Sequence, residues 1–531
     1  MNATTSAPAS LDWLPLDPAG NAATPLHGVA TIRAIEQAAL ASLPAYTLMT
    51  RAGSAAAGWV ARHAPAGRIV LLAGPGNNGG DALVAATRLH QAGRQVEAWL
   101  TAAPDRLPAD AARAWAEART AGVPLLAVPL DPAAALPPWP AGCVALVDGL
   151  LGIGLSRAAD GNMARWIAHI NGAGLPVFAL DIPSGLFADT GAGQPAVRAQ
   201  RTLTFIAAKP GLLTLDGRDC AGNIDIAPLG LPYPPTQPAV AHVNQPGGFR
   251  NALPGRHHAV NKGSYGSLAV IGGSHGMAGA PLLGARAALH LGAGRVHVGF
   301  LAQPAPLMDP VHPELMLHDV SDVAIDAMSA LVVGPGMGTG TAARKLLASL
   351  IDTCARAAPQ PPLVLDADAL NLLAGDAALA GVLRDSGVPH VMTPHPLEAA
   401  RLLGSTVADI QRDRLAAAAA LAAARQATIV LKGSGTVIAT APATRGAVTV
   451  NPTGNAALAT AGTGDVLAGM IGALLAQGMP VPDATRAAVW IHGRAADRLV
   501  AGGTGPAGMT ASELYLPARE ILNALLHGRA V

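Results

Sequence analysis

The sequence predicts two α/β domains, each a parallel sheet covered by helices on both faces in three αβα layers. Three observations predict this. Short β-rich runs alternate with longer helical patterns along most of the 531 residues. Nearly every Gly- or Asp-rich cluster falls just after a predicted strand, where parallel sheets bind their ligands. A single Pro-rich stretch breaks the alternation, and a chain of this length exceeds one ordinary core.

The elements follow in order. Residues 1–25 form a Pro/Ala-rich lead, expected to be loose, and 29–42 have helical spacing through Ile32, Ile35 and Leu40. Strands are predicted at 68–73, 95–100, 144–147 and 177–180, with helices at 81–91, 109–120 and 163–170 between them. The Pro-rich run 231–238 and the polar run to Gly248 mark the boundary. Alternation restarts with strands at 267–271, 296–300, 330–333, 363–365, 390–392 and 428–431, a helix at 281–291, and a long small-residue helix beginning near Asp465. The expected organisation is a lead (1–25), a first domain (26–235), a linker (236–250) and a second domain (251–531).

Composition sets the class. Apolar residues are 51% and charged residues 13%, which fits a well-packed soluble protein. A net charge of +1 is unlike the basic stripe of a nucleic-acid binder. Cys143, Cys220 and Cys354 are odd in number and widely spaced, which suits a reducing cytoplasm better than a disulfide framework. The first 25 residues lack a basic start followed by an apolar core, and 415–424 is mostly alanine between Arg414 and Arg425. The expectation is a soluble cytoplasmic enzyme, a homo-oligomer, with neither nucleic acid nor membrane as partner. The only lysines are Lys209, Lys262, Lys345 and Lys432, and three of them lie in Gly-containing loops. In a chain that otherwise chooses arginine, these suggest a need for a compact charge.

In the first domain, strand 68–73 runs into Gly74-Pro-Gly-Asn77-Asn78-Gly79-Gly80-Asp81 and then a helix. Consecutive glycines let a backbone approach an anion, and a helix start offers free N–H groups. A turn capped by Asp81 would look the same in isolation. Two further strands lead into Asp148-Gly-Leu-Leu-Gly-Ile-Gly154 and Asp181-Ile-Pro-Ser184-Gly185. Together the three turns place carboxylates, an amide and a hydroxyl around one cradle, a donor set that suits a hard cation.

These motifs, followed by Ala207-Ala-Lys209-Pro-Gly211, resemble the NAD(P)H-hydrate epimerase domain over nearly all of residues 25–235. The resemblance implies a Rossmann-like domain with a potassium ion held by Asn78, Asp148 and Ser184. It also implies a substrate cradled by Asn77, Asn78, Gly79, Gly80 and Asp81 and by Gly152-Ile153-Gly154-Leu155-Ser156-Arg157-Ala158, with Asp181 catalytic at the reacting ring. Ala82 stands where the family usually has glycine, and Ile153 where it usually has threonine.

In the second domain, Gly272-Gly-Ser274-His-Gly276 matches G-x-S-x-G, and a hydrolase would need Asp368 and His395 as partners. The glycines continue to Gly279, which suits a wide ligand loop better. Gly334-Pro-Gly-Met-Gly338, Asp366-Ala-Asp368, Pro394-His395-Pro-Leu-Glu398 and Lys432-Gly433-Ser434-Gly435-Thr436 each follow a strand. Ala461-Gly-Thr-Gly464-Asp465 opens a helix. Amides there would hold a transferring phosphate, and the aspartate could accept a proton from an attacking hydroxyl. No Gly-Lys pair occurs, so a P-loop is excluded on motif grounds.

Gly-Thr-Gly-Asp at a helix start resembles the ribokinase-like fold, and with Asn261-Lys-Gly-Ser-Tyr-Gly266 the set is similar to its NAD(P)H-hydrate dehydratase branch over about 255–525. The resemblance implies that Ala280, Gly338, His395 and Asp465 contact the hydrate, with Asp465 catalytic. It implies that Lys432, Gly433, Ser434, Gly435, Thr436 and Gly464 hold the nucleotide, ADP or ATP, with a magnesium ion. Asn261 and Leu397 depart from the family's usual histidine and glycine. The implied substrates are the hydrates of NADH and NADPH (NADHX and NADPHX). Rival readings are a small-molecule kinase of the same fold, an NAD-dependent oxidoreductase, and a first domain that binds without catalysing.

Overall fold

The computed structural model describes residues 13–20, 23–128, 134–441 and 448–530. Two compact units divide the chain, one formed by 1–17 with 24–240 and the other by 18–23 with 241–531. Residues 1–12, 21 and 22 of the expected lead lie outside the described residues. The rest is not all loose: Leu14–Pro15 is a two-residue strand, β1.

The first unit adds β2 (Arg68–Ala73), β3 (Val96–Leu100), β4 (Leu125–Ala127), β5 (Cys143–Gly149), β6 (Val177–Leu180), β7 (Arg201–Phe205) and β8 (Asn223–Ala227). They lie in the order β1-β8-β7-β6-β5-β2-β3-β4. Only the β1–β8 pairing is antiparallel. Both faces of the sheet are covered: Ile69, Leu71 and Ala73 of β2 enter one core, and Val70 and Leu72 enter the other. The chain builds from β2 to β4 on one side, then returns to β5 and builds the other way. Loops leaving β2 and β5 therefore diverge, and a crevice opens at this switch point. Helices α1 (Val29–Leu40), α2 (Thr47–His63), α3 (Asn77–Gln91), α4 (Ala109–Thr120) and α5 (Gly161–Asn171) accompany the sheet.

Helix α3 starts four residues earlier than the sequence suggests, so the Asn-Asn-Gly-Gly-Asp run is helical. Its glycines serve close packing. A Cβ on Gly79 would collide with the Gly74 carbonyl, and one on Gly80 would press on Met49. The space in front of the helix is open at Gly76, where an added Cβ meets nothing within 4 Å.

The second unit contains β9 (Ala241–Val243), β10 (Ser267–Gly272), β11 (Arg295–Phe300), β12 (Met316–Asp319), β13 (Ala330–Val333), β14 (Leu363–Leu365), β15 (His390–Met392), β16 (Thr428–Leu431), β17 (Val437–Thr440) and β18 (Val448–Val450). Their order is β12-β11-β10-β13-β14-β15-β16-β17-β18-β9. From β12 to β16 the sheet is parallel, and β17 is antiparallel to both its neighbours. Val270, Val332, Val364 and Val391 face one core, while Ile271, Val333, Leu365 and Met392 face the other. Part of the expected linker is structured, because β9 pairs with β18. The helices that carry the site are α6 (Gly279–His290), α7 (Asp368–Gly375), α8 (Pro396–Leu403), α9 (Arg414–Arg425), α10 (Thr463–Ala476) and α11 (Val481–Ala501).

Candidate active sites

In the first unit, the turns after β2, β5 and β6 meet. Asp148, at the end of β5, is fully buried, and its carboxylate accepts from Ser184 Oγ (2.6 Å), Ser184 N (2.8 Å) and Leu150 N (3.2 Å). Burial raises the carboxyl to about 6, against the pull of the Ser184 and Leu150 donors. Asn78 donates from Nδ2 to the carbonyls of Leu151 (2.9 Å) and Leu180 (3.1 Å). Its Oδ1 is buried with no hydrogen-bond partner among the described residues. A buried amide oxygen without a donor, beside a buried carboxylate and hydroxyl, fits an alkali cation in chemistry.

Asp181 leaves β6 with φ of 63°, a left-handed conformation that a non-glycine residue adopts only when its surroundings enforce it. Those surroundings are visible. Lys209 is buried and donates to Asp181 Oδ1 (2.7 Å), Thr204 Oγ1 (2.8 Å) and the Phe205 carbonyl (2.8 Å). All three ammonium protons are thereby used. The other carboxylate oxygen of Asp181 accepts from Ile153 N at 3.1 Å. A Cβ on Gly152 would come within 2.9 Å of it. Two further carboxyls face this group. Burial pushes Asp81 well up, helped by Asp181 and Glu36. Burial and Asp181 also raise Glu36 on α1, against Lys209 and Arg33. Asn77 is exposed at the start of α3, and Gly154, Ser156, Arg157 and Ala158 are exposed, with Leu155 half-buried. Thus Asn77–Asp81, Asp148, Gly152, Ile153, Asp181 and Ser184 gather. Lys209 was legible only as a motif residue, and Glu36 was not read as part of a site.

Both departures have a structural setting. Ala82 is fully buried, its methyl 2.6 Å from where Gly149 would carry a Cβ, and so lies behind the crevice. Ile153 serves Asp181 through its backbone N–H, which any residue but proline supplies.

In the second unit, the loops after β10, β13, β14, β15 and β16 surround the start of α10. Burial raises the Asp465 carboxyl to about 7, with Asp366 adding to the rise, Lys432 opposing it and Asp368 adding further. Lys432 Nζ lies 2.8 Å from Asp366 Oδ1 and 4.0 Å from Glu398 Oε2. Burial alone would lower its pKa, but Asp366, Glu398 and Asp465 hold it above the usual lysine value. A Cβ on Gly464 would sit 3.4 Å from Lys432 Nζ and 3.7 Å from Asp366 Oδ2. Glycine there keeps the helix start open beside the ion pair; the Thr463 N–H donates to the Thr460 carbonyl at 3.4 Å, which leaves the Gly464 and Asp465 amides as the ones suited to meet an anion.

The flanking loops are braced. Ala367, between the two aspartates, has φ of 50°. Asp368 Oδ2 accepts from Gly338 N (2.8 Å). A Cβ on Gly336 would lie 3.3 Å from the Ala280 Cβ, so Ala280 and the Gly334–Gly338 loop adjoin. Ser274 Oγ donates to the Gly336 carbonyl at 3.0 Å, and its hydroxyl is a loop brace. His395 caps α8: its Nδ1 accepts from Leu397 N (3.1 Å) and Glu398 N (3.3 Å). No Ser274–His395 dyad of a hydrolase forms. Because Nδ1 accepts, a neutral His395 carries its proton on Nε2. Leu397 takes part through its amide, so its half-exposed side chain leaves the cap intact.

Two supporting residues escaped the sequence reading, and a third, Glu398, was legible only as part of the motif that follows β15. Arg414, on α9, is buried and donates to the carbonyls of Leu431 (3.1 Å), Lys432 (3.1 Å) and Gly435 (3.5 Å), which shapes the Lys432–Thr436 loop from below. His492, on α11, pairs through Nε2 with the Thr463 carbonyl at 3.0 Å, and burial lowers it to about 4. Glu398 completes the acidic collar around Lys432.

Fold and sites define a class, a fusion of two parallel-sheet domains that each bring a glycine-containing helix start and acidic groups together at their strand ends. Comparison with known proteins makes this specific. Residues 45–211 match the family model described as YjeF-related protein N-terminus, and residues 268–516 match that of NAD(P)H-hydrate dehydratase. The bifunctional NAD(P)H-hydrate repair enzyme Nnr of Coxiella burnetii is 37% identical over 510 residues, which cover 94% of this chain and 100% of that protein. Its namesake in Escherichia coli K12 is 39% identical over 92% of both chains. The ADP-dependent (S)-NAD(P)H-hydrate dehydratase of Neisseria meningitidis is 45% identical over 52% of this chain and 92% of its own length. The chain belongs to the bifunctional NAD(P)H-hydrate repair enzymes, with an epimerase domain followed by a dehydratase domain.

Proposed function

We propose that the first domain interconverts the C6 epimers of NADHX and NADPHX and that the second dehydrates the (S) epimer with ADP or ATP. Asp465 carries the dehydratase reading: its carboxyl titrates near neutrality at the mouth of an open helix start, beside the Lys432–Asp366 pair.

In the dehydratase, Lys432, Gly433, Ser434, Gly435, Thr436 and Gly464 hold the nucleotide, and Ala280, Gly338, His395 and Asp465 meet the hydrate. Asp465 accepts the proton of the C6 hydroxyl as its oxygen attacks the terminal phosphorus, and first-turn amides of α10 steady the transferring group. ADP leaves as AMP. The phosphate then departs from C6 while C5 loses a proton, which restores the ring double bond. Phosphate replaces hydroxide as leaving group. Magnesium, supported by one or two carboxylates and the phosphates, would neutralise charge, and Asp366, Asp368 and Glu398 are donors of that kind.

In the epimerase, Asp181 moves the proton at the reacting ring, held in place by Lys209 and Ile153 N. Asn77–Asp81 and residues 152–158 cradle the dinucleotide. The donor set of Asn78 Oδ1, Asp148 and Ser184 fits potassium, which would offset phosphate charge. The epimerase feeds the dehydratase the epimer it consumes. NADHX and NADPHX are the small-molecule partners, and the working form is a cytoplasmic homo-oligomer. Among the described residues, no helix is long and apolar enough to cross a membrane.

The test is recovery of reduced-nicotinamide absorbance from mixed-epimer NADHX, with ADP or ATP, magnesium and potassium. Recovery beyond the (S) share, faster than spontaneous epimerisation, supports both activities and identifies the nucleotide. Recovery that stops at that share refutes the epimerase reading. Absence of recovery with either nucleotide refutes the dehydratase reading and favours a small-molecule kinase.

A further inference from the structure

The epimerase crevice presents an electrostatic difficulty. Glu36, Asp81 and Asp181 converge on it, while the ligand assigned to it carries a pyrophosphate. Lys209, the one lysine nearby, is buried with every proton already bonded. Lys209 is therefore not available to the phosphates, and beside potassium and the exposed Arg157 of the 152–158 loop a further cation has to come from the elements that overhang the crevice.

Arg33 is placed to be that cation. It is exposed on α1 and forms no ion pair within 4 Å among the described residues. A Cβ on Gly154 would meet only one group within 4 Å, Arg33 Nη2 at 3.9 Å. The guanidinium therefore overhangs the 152–158 loop. Glu36 lies one turn further along α1 and is within the electrostatic reach of Asp181, so the helix passes over the site with Glu36 toward the ring end and Arg33 beyond it. Gly152 abuts Asp181, and Gly154 is two residues further out. A dinucleotide whose ring reaches Asp181 brings its pyrophosphate next, between the start of α3 and this loop.

We infer that Arg33 binds the pyrophosphate of the incoming dinucleotide, closing from α1 a clamp whose other sides are the α3 start and the 152–158 loop. The inference rests on the epimerase reading of this domain. Burial and Asp181 raise the Glu36 carboxyl, against Lys209 and Arg33 itself, so Arg33 already acts electrostatically on the groups of this crevice. The guanidinium fork can take two phosphate oxygens at once, which an ammonium cannot.

The experiment uses the full chain and measures epimerisation of both hydrates in the parent, Arg33→Gln and Arg33→Lys. Arg33→Gln should raise KM about tenfold for NADHX and NADPHX alike, with kcat changed by less than about twofold. Arg33→Lys should recover part of the loss, and added salt should shrink the parent's advantage. An unchanged KM overturns the inference, as does a fall in kcat alone. Loss confined to NADPHX also overturns it, since the guanidinium would then serve the 2′-phosphate. If the parent epimerises neither hydrate, the epimerase reading fails by itself. Titration with ADP-ribose, a pyrophosphate without nicotinamide, then decides Arg33: weaker binding by Arg33→Gln supports the clamp, and equal binding overturns it.

Discussion

Each domain builds its site around a lysine paired with a strand-end aspartate, yet the two pairs work differently. Lys209 and Asp181 are 2.7 Å apart, and Lys432 and Asp366 are 2.8 Å apart. In both, a non-glycine residue of positive φ turns the chain at the strand end, Asp181 itself in one case and Ala367 in the other. Lys209 has three acceptors and no exposure, so it fixes geometry. Lys432 remains 22% exposed in its side chain and has carboxylates on several sides, so it retains capacity for an arriving anion. The same residue pair is thus a clamp where the substrate's proton moves and a docking charge where a phosphoryl group moves. What separates them is how many of the ammonium's protons the protein takes for itself.

The largest expected effect tests which acid does chemistry. Asp465→Asn should lower the dehydration kcat by about 10²–10⁴-fold while nucleotide binding, followed by calorimetry, stays within a few-fold. Asp181→Asn should remove epimer interconversion to a similar degree and leave dehydration of (S)-NADHX intact, as read by separating the epimers chromatographically. Parental rates in either variant would remove that residue from its role.

The lysines themselves come next. Lys209→Met leaves a carboxylate without its buried partner and should destabilise the first domain by about 3–5 kcal/mol in chemical denaturation. Lys432→Met should act mainly on KM for the nucleotide. If both variants lost stability equally, the distinction between clamp and docking charge would collapse. A smaller effect is expected from pH. Asp465 is protonated below about 7 and a base above it. Dehydration kcat/KM should therefore fall about tenfold per pH unit on the acid side and level off above neutrality. A flat profile from pH 5 to 8 would contradict the assignment.

The least effect should come from Ala82→Gly. Ala82 is buried in a helix behind the crevice, so restoring the family's usual glycine should cost about 1 kcal/mol of stability and leave the epimerisation rate unchanged. A faster enzyme would show that the methyl reaches the substrate through Gly149.

Legibility differed by element for physical reasons. Strands buried on both faces read as apolar runs, and the turns after β2, β5, β6, β15 and β16 were legible because glycine, aspartate and proline mark them. β7 and β8 were not read, since Arg-Thr-Leu-Thr-Phe and Asn-Ile-Asp-Ile-Ala look half-polar. Arg201 and Asp225 in fact pair at 2.8 Å across them. The early start of α3 was hidden by Gly79 and Gly80, which lower helix propensity but relieve contacts with Gly74 and Met49. Arg414, His492 and Glu36 lie within helical patterns, where a polar residue resembles a solvated face. Only the fold shows that Arg414 holds the Lys432 loop and that Glu36 faces Asp181.

The two residues Leu14 and Pro15 matter beyond their size. They pair with Ile226 and Asp225 along the outer edge of the first sheet, and Trp13 packs near Gly58. Without them, the backbone donors and acceptors of β8 would face water as a ready template for a second chain. A shortened protein beginning at residue 25 would retain every group named in catalysis and yet be the form most prone to sticking to itself. That edge of the first sheet is therefore covered by a segment that has no part in its chemistry.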